Sequence, residues 1–211
     1  FGTTGAQKSK YTELQSAMNT FGIYDNHKRL QIDIIKQSLR HLEFGNWCKK
    51  FELNQQLFDH YKIFKSDSAY FYAQTLKKLA TTAEDTLHIN KANINLADIC
   101  IAVGMYKEAL DFLEEVDVDR LERNDKSMYY GLYGRCYGDL AEYSNLPSFS
   151  KVYIEKAHDN REKALEYVAQ NTFFHLFMTA YYQYESGNLD KAEQGLEKLL
   201  KWDLSLRDQA L

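Results

Sequence analysis

Gly104-Met105-Tyr106-Lys107-Glu108-Ala109-Leu110 and Gly187-Asn188-Leu189-Asp190-Lys191-Ala192 are one short pattern written twice. In each, a glycine is followed two positions on by a large apolar residue and five positions on by an alanine. Tyr70 with Ala73, and Ile154 with Ala157, repeat the apolar-to-alanine step without the glycine. The four alanines stand 36, 48 and 35 residues apart. That is a period near 34 with one insertion, which marks units of two helices. Alanine suits the point where two helices cross closely and only a small side chain fits. One such pair cannot bury its own apolar face, so the pairs must stack, and stacking leaves a long groove.

Composition agrees. Proline occurs once, at Pro147, and glycine ten times in 211 residues, few breakers for so long a chain. Hydrophobic residues make up 45% and aromatics 14%, enough for a substantial core. The net charge of -4 comes from interspersed acids and bases with no basic stripe, which argues against nucleic-acid binding by this segment. Cys48, Cys100 and Cys136 are far apart and form no CxxC pair or metal spacing; Cys100 and Cys136 read as buried free thiols. No run of 18 or more apolar residues occurs, so no transmembrane helix is expected within the chain.

The expected fold is all-α: a right-handed α-solenoid of about four tetratricopeptide (TPR)-like hairpins behind a long N-terminal helix. Residues 1–8 read as the remnant of a signal peptide, with Thr4 and Ala6 at the positions before cleavage, or equally as a cloning remnant. Residues 9–45 form the amphipathic helix, with Leu14, Met18, Phe21, Tyr24, Ile32, Ile35 and Leu39 on one face and Gly22 a point of weakness. Its end falls at Phe44-Gly45. Residues 46–211 hold the repeats. The first pair runs from about Lys50, with Ser66-Asp67-Ser68 capping its second helix. The second begins at Asp85 and turns at Gly104. Asn124-Asp125 is expected to cap the third, and its insertion is placed in the turn Tyr143 to Ser150. The fourth starts at Asn171-Thr172 and turns at Gly187. No polar capping element closes the array, so a continuation beyond Leu211 is expected.

A search for catalysis is unproductive. His27, His41, His60, His88, His158 and His175 are scattered, with no HExxH and no adjoining nucleophile motif. There is no glycine-rich phosphate loop, and pairs such as Glu114-Glu115 read as a solvated face. No catalytic residue, cofactor or metal site is assigned. Tyr130, Tyr133 and Tyr137 fall on one helix face and are read as core.

A binding surface is the better expectation. With Ala192 as the signature alanine, the groove-facing positions of the fourth repeat are Phe174, Phe177, Tyr181 and Tyr184. Four rigid aromatics there suit a partner's anchor residues, or they are covered by helices further along. The matching positions of the second repeat include Ile94, Asp98 and Ile101, and Arg135 lies on this face in the third. Asp98 and Arg135 would orient a protein or peptide ligand by charge. The N-terminal helix is a candidate homodimer surface.

Three longer runs carry a resemblance: Gln56 to Ala73, Gly104 to Leu110, and Tyr129 to Ser144. With Tyr24, Lys28, Arg29, Ile32 and Lys36 of the first helix, they resemble bacterial membrane-tethered TPR-containing regulatory proteins. The likeness covers about residues 9 to 200. It implies the extracytoplasmic, periplasmic sensor half of a longer regulator, joined to the membrane through a segment absent from this chain. The family has no established ligand, so no functional residue is carried over. The alternative is a soluble cytosolic TPR scaffold or adaptor.

Overall fold

The computed structural model describes residues 27–42, 45–144, 146–170 and 172–201. The expectations for residues 1–8, for the first half of the N-terminal helix including Gly22, for Phe44, and for the stretch after Lys201 lie outside them. Among the described residues the fold is all-α with no strand. The chain divides into two compact units, Phe1–Glu84 and Asp85–Leu211.

In the first unit, helical residues 27–40 (α1) bury Ile32 and Ile35, as the amphipathic pattern requires. Trp47–Tyr61 (α2) and Ser66–Thr82 (α3) form the first hairpin. Leu57 and Phe58 of α2, with Ala69, Ala73, Leu76 and Ala80 of α3, are sealed from solvent. Gly45 turns the chain before α2 at φ +111°, where a Cβ would be strained. The cap expected at Ser66 is not formed: Lys65 holds the N-cap position without a side-chain bond. Asp67 lies within the first turn, where its charge suits the helix dipole.

The second unit holds three hairpins: Thr86–Ala102 (α4) with Tyr106–Glu114 (α5), Arg123–Tyr143 (α6) with Pro147–Tyr167 (α7), and Phe173–Glu185 (α8) with Leu189–Leu199 (α9). A 3-10 turn, Val118–Arg120, links the first to the second. Asp85 caps α4 by accepting from the His88 amide at 3.0 Å, and Thr172 caps α8 by accepting from the His175 amide at 3.2 Å. The expected cap at Asn124-Asp125 is displaced, since α6 begins at Arg123 with Glu122 at the N-cap.

The two motif glycines do identical work. Gly104 (φ +80°) and Gly187 (φ +76°) each occupy the left-handed position after a helix. The following amides close back on the helix, Met105 N to Cys100 O at 2.8 Å and Asn188 N to Gln183 O at 2.9 Å. This 6→1 bond defines the glycine-capped helix end. The four signature alanines are all buried, at 0 to 3% exposure. Tyr106 packs on Tyr143 of α6, ring centroids 5.8 Å apart.

The insertion does not lengthen the α6–α7 turn. Pro147 begins α7 rather than sitting in a loop, and the extra residues extend the helices, each 21 residues long. Proline is pre-set for the first helical position, where its missing N–H costs nothing. The tyrosines of this hairpin form a ladder between its helices: Tyr130 stacks on Tyr167 (5.8 Å), Tyr133 on Tyr137 (6.0 Å) and Tyr137 on Tyr153 (6.1 Å). Arg123 closes the other end, donating from Nε to Tyr167 O (3.0 Å) and from Nη2 to Glu166 O (2.9 Å).

Candidate partner-binding cleft

Arg161 organises the site. Ala157, Arg161 and Ala164 form the inward stripe of α7, so the pattern of the helix carries a charged side chain into the interior, where it is 9% exposed. A buried charge must be paired and hydrogen-bonded. The structure supplies both. Arg161 Nη1 meets Glu185 Oε2 of α8 at 2.5 Å, and the guanidinium carbon lies 5.4 Å from the Tyr182 ring centroid. Room for the stem comes from α6: a Cβ on Gly134 would stand 2.7 Å from Arg161 Cγ, and one on Gly138 2.6 Å from Nη2. Gly134 and Gly138, one turn apart, thus leave a slot for a single side chain.

Beside this pair a cleft of about 570 Å³ opens between α6, α7, α8 and the start of α9. Gly138, Ala141 and Glu142 of α6 line one wall; Ile154, Ala157, His158 and Arg161 of α7 another; Tyr181, Tyr184 and Glu185 of α8, with Leu189, the third. Tyr181 hydrogen-bonds Glu185, which places its hydroxyl beside the ion pair. Burial pushes the Tyr182 phenol up to about 12, so it stays protonated beneath the guanidinium. Asp139 is held above the usual carboxylate range, first by burial and further by Glu142 and Glu185, against the pull of Arg135 and Arg161.

Of the residues read as groove-facing, Tyr181 and Tyr184 line this cleft and are 43% and 61% exposed. Phe177 stacks on Tyr181 at 6.4 Å and on Phe173 at 6.0 Å, so it supports the exposed tyrosine rather than lining the cleft. Phe174 is exposed on the same helix, away from the lining. Asp98 and Arg135 do meet, across α4 and α6 at 3.6 Å. Lys91 reaches Asp125 at 3.5 Å between the same two helices. Ile94 and Ile101 are a correction. Each is only 2% exposed and offers no area to a ligand. The reason is that Ala92, Ile94, Leu96, Ala97, Ile99, Cys100 and Ile101 are all buried, with Asn90, Asn93 and Asn95 beside them, so α4 is enclosed around most of its circumference and only side chains such as Lys91 and Asp98 keep partial exposure.

Arg161, Glu185, Glu142 and His158 were not singled out from the sequence. Two signals pointed to them: a basic residue four positions after the signature Ala157 on an inward stripe, and the Gly134-x-x-x-Gly138 spacing on the preceding helix. Among the described residues no group of three or more His, Cys, Asp and Glu is placed to hold a metal ion, and no helix is long and apolar enough to cross a membrane.

Residues 18–211 match the protein family described as the SusR N-terminal TPR domain. No functionally curated protein matches the sequence.

Proposed function

This chain belongs to the SusR N-terminal TPR domain family, a family of TPR-containing bacterial regulators, and from that premise we propose that it is the extracytoplasmic sensor half of a membrane-anchored regulator. TPR domains are protein-interaction modules of helical repeats, and a protein or peptide segment is the ligand class this fold serves. The cleft between α6, α7 and α8 is where that segment seats. One observation carries the reading: two tyrosines stand exposed on a wall whose neighbour is a buried guanidinium paired with Glu185. Rigid aromatics beside a fixed polar anchor are the usual makings of a binding hot spot. Occupancy of the cleft would change how α8 rests on α7, and that change is relayed along the regulator.

The test uses the full-length regulator with a transcriptional reporter. Tyr181→Ala combined with Tyr184→Ala should abolish the response at unchanged protein level and unchanged helix melt. A full response from that variant removes the cleft from the function.

A cytosolic adaptor is the second reading, and the cysteines favour it. Cys48 is exposed and free, and Cys100 and Cys136 are buried and unpaired, as is common in a reducing compartment. An alkaline phosphatase fusion after Leu211 of the full-length protein separates the two: enzyme activity supports export, and its loss supports the adaptor.

A further inference from the structure

The cleft holds more carboxylate than cation. Its one guanidinium, Arg161, is already committed to Glu185 and to the Tyr182 ring. Glu142 lines the opposite wall, and no Lys or Arg pairs with it among the described residues. Asp139 lies one turn before Glu142 on α6 and is half-buried, in the opposing fields of Arg135 and Arg161 on one side and of both glutamates on the other. The remaining lining is the rings of Tyr181 and Tyr184, the exposed aliphatic side chains of Ile154 and Leu189, the His158 imidazole on α7, and the small residues Gly138, Ala141 and Ala157.

Three kinds of side chain can be compared against these walls. An anionic group would face Glu142 and Glu185 and would gain Arg161 only by breaking a buried ion pair, which is strongly unfavourable. An apolar group would cover the aliphatic walls but desolvate the carboxylates without compensation. A lysine or arginine suits the carboxylate, aromatic and aliphatic walls together, and among the described residues His158 offers it no competing fixed charge pair. Its methylene stem packs along Ile154 and Leu189, as such stems do on apolar surface. Its head meets a tyrosine face and a carboxylate together.

We propose that this cleft receives a lysine or arginine side chain of a peptide segment, with Glu142 and Glu185 as its counter-charges and Tyr181 and Tyr184 as its aromatic walls. The proposal rests on the reading of the cleft as the partner site and specifies its chemistry. Glu185 then serves two cations, holding Arg161 on one side and the incoming head on the other, so an occupant is felt directly at the α7–α8 junction.

The experiment is a titration of the isotope-labelled chain, followed by amide shifts, with three blocked tripeptides: acetyl-Gly-Arg-Gly-amide, acetyl-Gly-Leu-Gly-amide and acetyl-Gly-Glu-Gly-amide. The arginine peptide should shift Gly138, Glu142, Tyr184 and Glu185 saturably, at roughly tenfold higher affinity than the leucine peptide. The glutamate peptide should leave them unmoved. Glu142→Gln, an exposed and isosteric change, should weaken the arginine peptide roughly fivefold, and added salt should weaken it further. Equal or tighter binding of the leucine or glutamate peptide at these residues overturns the cationic assignment and leaves the cleft as a partner site. Arginine-peptide shifts elsewhere, or none, overturn it too. The reporter assay with the Tyr181/Tyr184 double variant then judges the cleft on its own.

Discussion

Gly134 of α6 lies against the stem of Arg161 of α7 so closely that a Cβ there would be 2.7 Å from Arg161 Cγ, with Ala157 O and Arg161 N both at 3.4 Å. Alanine ordinarily stabilises a helix relative to glycine by about 0.5–1 kcal/mol. Here the sign reverses, because the neighbours are a side-chain root and two backbone atoms. Gly134→Ala is expected to destabilise the chain by about 1–3 kcal/mol in urea melts. Gly138→Ala meets only the mobile Nη2 end at 2.6 Å, so its cost should be smaller. Combining Gly134→Ala with Arg161→Ala should give a double variant more stable than the sum of the two single losses, since the clash is gone. Strict additivity would mean the slot is not built for this side chain.

The Arg161–Glu185 pair joins α7 to α8, two helices that otherwise touch sparsely. Its side chains are 10% and 21% exposed, so solvent screens it little. Glu185→Gln leaves the guanidinium with a neutral partner in a buried place, a loss of up to about 3 kcal/mol. Hydrogen exchange should rise first in α8 and α9 while α4 and α5 keep their protection. Uniform acceleration across the chain would show that the pair is not the hinge between these hairpins.

Asn90 is 1% exposed and forms a reciprocal pair with the backbone of Asp117, donating from Nδ2 to its carbonyl at 3.0 Å and accepting from its amide at 3.1 Å. Asn90→Leu removes both bonds to the Asp117 backbone, whose carbonyl keeps the Arg120 amide at 3.2 Å, at a cost of about 0.5–1.5 kcal/mol for each bond lost. A lowered midpoint in thermal melts, with retained helicity at low temperature, is the expected result. Asn93 also reaches this region through Glu115 Oε2, at 3.3 Å.

The Asp139 carboxyl has a folded-state pKa above its unfolded value near 4, through burial first. The protonated form is therefore favoured by folding. Its contribution is complete below the unfolded pKa and is lost as pH rises through the folded one. Asp139→Asn mimics the protonated form. It should melt above the parent chain at neutral pH, and the two curves should converge as pH is lowered toward 4. A gap that widens on acidification would reverse the assignment.

Much of the fold could be read from Ala73, Ala109, Ala157 and Ala192 together with Gly104 and Gly187, because each answers a local demand. A close helix crossing needs a small side chain, and a left-handed helix end needs a glycine. Asp85 and Thr172 were legible as helix starts, and the structure makes each of them the cap. Ser66 and Asn124 were misleading because good capping chemistry sits one or two residues inside the true start. The surface residues were harder. Ile94 and Ile101 occupy positions equivalent to Phe177 and Tyr184, yet exposure depends on what packs beside each helix, which spacing within one repeat does not encode. Arg161 was missed for a related reason: its slot exists only when two separate helices are brought together.

The 48-residue interval between Ala109 and Ala157 has a mechanical result. Because its surplus went into helix and not into loop, α6 is eight residues longer than the 13-residue α8. At 1.5 Å per residue that is about 12 Å of additional helix in the hairpin that closes at the α6–α7 turn. Tyr143, Leu146 and Phe149 are exposed at that end of the hairpin. A stiff rod seated at Arg161 and bearing on Tyr106 through Tyr143 is a lever, so whatever pushes on its turn end would deliver torque at the cleft's own wall.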